Sequence, residues 1–229
     1  MKVLIFDSGV LINFALNGFL EVLPKLRSVG DVRFAITDEV LRESVSRPIN
    51  IPRFELGALR IEALVESGVL EMPPAFGVPL QELRKLTQNF MNTANQLISA
   101  NGKWVRIVSD GEMSCLALSR ILSSQGVENL IAIDERTTRI LTEKPENLIK
   151  LMEKRIHKRV KLDRTKLSEF QGFRFVRSTE LVFLAYKKGL LDVKGKKALE
   201  AALYATKYKG AAISFEEIDE IKRIAKSLK

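Results

Sequence analysis

Histidine, cysteine and tryptophan each occur once in the 229 residues. With His157 alone, a zinc site built on several imidazoles and a Ser-His-Asp triad are both improbable chemistries. With Cys115 alone, no intrachain disulfide can form, which fits a reducing compartment. No stretch approaches the roughly 20 apolar residues of a membrane helix. The apolar run at the N-terminus ends at Asp7, too short for a signal-peptide core, so it reads as a strand. The expectation is a soluble cytoplasmic protein with no membrane partner. No Gly-x-Gly-x-x-Gly and no Walker A sequence follows any apolar run, which argues against dinucleotide and nucleoside-triphosphate sites. Asp7-Ser8-Gly9 also lacks the second Asp that an aspartate-nucleophile phosphatase needs.

What is present is positive charge. Lys and Arg number 37 against 28 acids, giving +9 and a pI near 9.7. Such a balance favours polyanionic partners, because phosphates paired with Lys and Arg release condensed counterions. The blander alternative is a surface tuned for solubility or for heat. The excess is concentrated. Between residues 150 and 166, Lys150, Lys154, Arg155, Lys158, Arg159, Lys161, Arg164 and Lys166 face only Glu153 and Asp163. A flexible basic arm here would grip the phosphates of RNA; a solvated helix face is the alternative. Lys187, Lys188, Lys194, Lys196 and Lys197 make a second, weaker patch. Trp104 and Phe90 are conceivable stacking platforms, although helical spacing marks Phe90 as core.

Hydrophobic runs of strand length alternate with helical periodicity along most of the chain. Lys2 to Phe6 is a short apolar strand with no alternation, which suits burial on both faces. Val32 to Ile36 reads as a second strand after the Gly30-Asp31 turn, and Asn129 to Ile133 as a third, buried strand. Val69 to Met72 and Phe173 to Val176 are shorter candidates. Helices are expected from about Gly9 with Ser8 as cap, after Thr37 or Asp38, over Ile51 to Ser67 and Leu80 to Ala100, and after Ser109 or Asp110. Further helices begin at Thr137, Ser178, Lys194 and Phe215. This alternation predicts an α/β protein: a three-layer α/β/α arrangement around a central parallel sheet. One domain spanning 1–229 is expected, with insertions near 73–107 and 143–172.

Functional sites in such sheets lie beyond the carboxyl ends of the strands. Asp7 and Asp134 end apolar strands there, while Glu43 and Glu112 sit early in following helices. Carboxylates brought within a few Å repel one another and ionise together only around cations. Oxygen ligands of this kind suit Mg²⁺ or Mn²⁺. Helix N-termini favour acids in any case, so for Glu112 the capping reading stands beside the metal-binding one. Glu39, four residues before Glu43, is an alternative ligand, and Asp110 and Glu135 read as a helix cap and an outer-shell acid.

The segment Asp7-Ser8-Gly9-Val10-Leu11-Ile12-Asn13 resembles the opening of PIN domains. Val40-Leu41-Arg42-Glu43, Asp110-Gly111-Glu112 and Ile131-Ala132-Ile133-Asp134-Glu135-Arg136 are similar to that family's second, third and fourth acidic motifs. The run from Thr179 to Leu191 resembles the terminal helix of a prokaryotic subgroup close to the toxin-like ribonucleases of toxin–antitoxin pairs. The likeness covers about 1–72, 108–142 and 173–225. It departs in the two insertions, and Arg177-Ser178-Thr179 stands where the subgroup has Gly-Thr. The resemblance implies a Mg²⁺- or Mn²⁺-dependent endoribonuclease whose catalytic ligands are Asp7, Glu43, Glu112 and Asp134. It further implies RNA as substrate, a homodimer, and, for toxin-like relatives, an antitoxin protein as partner. An inactive RNA-binding module on the same fold is the alternative.

Overall fold

The computed structural model describes residues 1–227. Its centre is a parallel sheet of five strands in the order β3-β2-β1-β6-β8. These strands are β1 (Lys2–Phe6), β2 (Val32–Ala35), β3 (Leu70–Glu71), β6 (Glu128–Ala132) and β8 (Phe175–Val176). β1 lies in the middle because Val3, Leu4, Ile5 and Phe6 are all buried, and only a doubly covered strand accommodates four such residues in a row. Lys2 to Phe6 pair with Glu128 to Ala132 in register, and Phe6 meets Phe34 edge-on, 5.3 Å between centroids.

Each carboxyl end leads into a helix. After β1 come α1 (Ser8–Asn17) and α2 (Val22–Val29). Gly18, at φ 72°, ends α1 in the left-handed conformation that glycine adopts without strain. The cap of α1 is Asp7, whose carboxylate accepts from the Gly9 N–H; Ser8, the expected cap, is the first helical residue instead. Its hydroxyl turns outward to Glu43, so the acid one position earlier takes the capping role. After β2, Thr37 caps α3 (Asp38–Leu41), which widens into a π-helical turn over Arg42–Ser46. α4 (Pro52–Glu66) then leads into β3. Ser109 caps α6 (Asp110–Ser124), which precedes β6, and α7 (Arg136–Glu143) follows it. The chain closes with α9 (Ser178–Lys187), α10 (Ala198–Tyr208) and α11 (Phe215–Ser227). Among the described residues no single helix is long and apolar enough to cross a membrane.

Further expectations change, the helix expected from Lys194 beginning only at Ala198. The helix predicted to reach Ala100 stops as α5 (Leu80–Ala94). Asn101 and Gly102, at φ 50° and 75°, then form the tight turn of a hairpin between β4 (Ile98–Ala100) and β5 (Lys103–Trp104). Asn-Gly is the pair best suited to two consecutive positive φ values, and that local demand ends the helix. The basic stretch, expected as a flexible arm, is also folded. α8 (Glu146–Ile156) buries Leu148 and Met152, and β7 (Lys161–Leu162) pairs antiparallel with β4. The two insertions therefore build one small sheet, β5-β4-β7, beside the central one. Phe90 is core here, 5.5 Å from Phe170 and 6.2 Å from Phe173 between centroids, whereas Trp104 is 59% exposed.

Candidate metal centre at the carboxyl edge of the sheet

From β1 the chain builds β2 and β3 on one side, then returns to lay β6 and β8 on the other. The order reverses between β1 and β6, and at such a switch point the connecting helices diverge and leave a crevice at the strand ends. Asp7 and Asp134 follow those two strands, and the Asp7 N–H donates to the Ala132 carbonyl at 2.9 Å.

Asp7 is 4% exposed, with one carboxylate oxygen bonded to the Gly9 N–H and the other, Oδ1, buried without a partner. Burial, then the neighbouring Glu112, and more weakly Glu43, push its pKa up to about 8 against the Gly9 bond, which opposes the rise. Glu43 projects from the π-helical turn, a distortion that re-aims one residue of a helix. It accepts from the Ser8 hydroxyl at 2.7 Å and from the Gly111 N–H at 3.2 Å. A methyl group at position 111 would overlap this carboxylate, with Cδ only 3.0 Å away, so glycine permits the approach. Glu112 stands in the first turn of α6, 8% exposed, and accepts from the Thr138 hydroxyl of α7. Its pKa is raised chiefly by burial. Beneath the three acids lies Cys115, whose thiol is held protonated by burial first and then by Asp7, Glu43 and Glu112.

Asp134 stands apart from this trio in its partners. Its Oδ1 accepts from the Ser178 N–H at 2.9 Å, while Oδ2 is buried with no partner. Burial raises its pKa and Ser178 partly restores it. The Ser178 hydroxyl lies near enough to favour the carboxylate charge but outside hydrogen-bond geometry, and the Thr179 hydroxyl is likewise buried and unbonded.

No protein-family model, curated protein or solved structure matches this chain. The assignment of chemistry therefore rests on the residues themselves.

Of the four expected acids, Asp7, Glu43 and Glu112 are close enough to affect one another, and Asp134 ends the adjacent strand. As they stand, no three of them reach metal-coordinating spacing among the described residues. Each is held by a local donor: Gly9 on Asp7, Ser8 and Gly111 on Glu43, Thr138 on Glu112, Ser178 on Asp134. These acids offer oxygen atoms, the ligand type of a hard divalent cation. Asp7 Oδ1 after β1, Asp134 Oδ2 after β6, and the Ser178 and Thr179 hydroxyls at the start of α9 lack partners among the described residues, and orphaned buried oxygens are rare unless something polar satisfies them. Glu39, the alternative ligand, is bound to Arg42 instead. Asp110 is not the cap of α6; it pairs with Arg106 at 3.3 Å, while Ser109 accepts from the Glu112 N–H. Glu135 accepts from Thr137 at 2.6 Å and faces Arg155 at 4.0 Å.

The basic residues divide. Lys150 and Lys154 of α8 face a groove also lined by α7, α10 and α11, and Arg155 reaches Glu135. Lys158, Arg159 and Arg164 are exposed beyond it, Lys161 lies in β7, and Lys166 bonds Gln96 at 2.9 Å. Sequence reasoning did not find Thr138 or Arg139. Both lie on α7 behind Asp134, and nothing in their spacing distinguishes them from helix-surface residues.

Proposed function

We propose that this protein is a divalent-metal-dependent endoribonuclease on a PIN-type fold, hydrolysing RNA phosphodiester bonds. The observation that carries the reading is the set of unpartnered buried oxygens, Asp7 Oδ1 and Asp134 Oδ2 among them, at the switch point of the sheet. Asp7, Glu43, Glu112 and Asp134 would hold Mg²⁺ or Mn²⁺, which when bound neutralises the acids and acidifies a coordinated water.

The remaining work falls to the chain. Asp7 is the acid most in need of a cation, being the one whose charge burial and its neighbours oppose most strongly. Ser8 and the Gly111 N–H orient Glu43, Thr138 orients Glu112, and the Ser178 N–H orients Asp134. The hydroxyls of Ser178 and Thr179 are free to accept or donate to water or a phosphate oxygen. Burial around the site limits bulk water and strengthens every charge in it.

Cleavage of labelled single-stranded RNA, followed in EDTA, Mg²⁺ or Mn²⁺ for wild type and Asp7→Asn, tests the proposal. Metal-dependent cutting that the substitution abolishes while RNA binding persists is the expected result. Binding without cutting, with either metal and on several substrates, would replace the nuclease with an RNA-binding module.

A further inference from the structure

A groove of about 870 Å³ runs between α7 and α8 on one side and the α10–α11 corner on the other. Seven Lys and Arg line it against two Glu, which leaves a strongly positive trough far larger than a single phosphate ion requires. Two of these cations are engaged internally: Arg177 pairs with Glu180 and Glu217, and Lys207 donates to the Ile213 carbonyl. Arg136, Lys144, Lys150 and Lys154 make no ion pair among the described residues. Arg139 gives one N–H to the Ala212 carbonyl at 3.2 Å, while its Nε is buried without a partner. Exposed ammonium groups repel when crowded along one trough, so the arrangement is favourable only opposite a line of anions.

Two further features select the anion. Tyr208, the last residue of α10, lines the groove with 71% of its surface exposed. A wet aromatic beside a row of cations is the combination that binds unpaired bases, since stacking is blind to sequence and the backbone runs along the charge. None of the four acids lines the groove, but two of its residues are tied to Asp134 through the chain. Arg136 follows Asp134 by two residues, and Arg177 of the groove precedes Ser178, whose N–H holds Asp134. An acidic centre repels polyanions, and a neighbouring cationic trough offsets that repulsion.

We infer that this groove is the track for single-stranded RNA, with Lys144, Lys150 and Lys154 gripping phosphates and Tyr208 stacking on a base. The choice of RNA rests on the ribonuclease reading of the carboxylate site. The groove enlists only Lys150 and Lys154 from the basic stretch of 150–166. Lys158 and Arg159, equally charged and also exposed, lie outside its lining.

Fluorescence anisotropy of a labelled single-stranded oligouridine, in EDTA across a chloride titration, tests the inference without any need for cleavage. Lys150→Ala/Lys154→Ala is expected to weaken binding about tenfold or more and to flatten the salt slope by about 1.4, two single-strand phosphate contacts at about 0.7 each. Tyr208→Ala is expected to weaken it about fivefold or more with the slope unchanged, the signature of lost stacking. Lys158→Ala/Arg159→Ala should change it less than about twofold. The inference is overturned if the groove variants bind like wild type, or if Lys158→Ala/Arg159→Ala carries the loss. It is also overturned if no RNA binds, or if inorganic phosphate competes fully while Tyr208→Ala is silent, which describes a phosphate-ion site. Failure of the nuclease reading shows separately, as RNA that binds through the groove and is never cut in Mg²⁺ or Mn²⁺.

Discussion

Replacing Asp7 by Asn should stabilise the metal-free protein, although it removes the residue placed at the centre of the reaction. Asp7 is buried, and its pKa rises from an ordinary 3.8 to about 8, so the folded state holds a proton that the unfolded chain has released by neutral pH. The sign follows directly. More protons are bound in the folded state between those two values, so stability falls as pH rises through that window and levels off above about 8. At pH 7 the gap spans about three pH units at 1.36 kcal/mol each, a ceiling of about 4 kcal/mol. Relaxation and water entry reduce such costs, and about 1–3 kcal/mol is the expected net gain from a neutral amide of the same shape. For a chain of this length that raises Tm by roughly 2–12 °C. Thermal unfolding in EDTA, measured from pH 5 to pH 8.5, provides the assay. The variant should gain over wild type progressively across that range, and Mg²⁺ or Mn²⁺ should close the gap by stabilising wild type alone. A variant less stable than wild type at pH 8, or a difference that does not move with pH, would refute the reasoning.

Gly111→Ala places a methyl against the Glu43 carboxylate, on a helix that otherwise welcomes alanine. The expected outcome is a folded protein, by circular dichroism, whose metal-dependent RNA cleavage falls by roughly tenfold to a hundredfold, the cost typical of lost ligand orientation. Ser178→Ala and Thr179→Val remove hydroxyls that are buried without partners. Each should leave metal-free stability unchanged or higher by about 1 kcal/mol in urea unfolding, while Mn²⁺ affinity by calorimetry drops.

The carboxyl-edge position of the acids was legible because a strand buried on both faces needs an unbroken apolar run, and a charged residue can only stand where that run stops. Lys2 to Phe6 ends in Asp for that reason, whereas β6, expected to be buried, leaves Leu130 exposed on one face before Asp134 follows it. Alternation of such runs with helical periodicity was enough for a parallel sheet covered by helices. The end of α5 was misread because apolar spacing continued past Ala94, while the deciding feature, two positive φ values at Asn101 and Gly102, is a turn requirement that periodicity does not register.

Composition and local pattern determined the charge, the strands and the edge on which the acids lie. Only tertiary structure decided what those acids touch. The π-helical turn aims Glu43 at Ser8 and Gly111, residues 35 and 68 positions away, and the Asp134 bond to Ser178 closes a loop of 44. Likewise the basic groove joins α7 and α8 to the α10–α11 corner, so its cations are neighbours in space and scattered in sequence. Periodicity records which face of an element is buried; the identity of what meets that face is fixed when separate elements pack, through contacts that no local window contains.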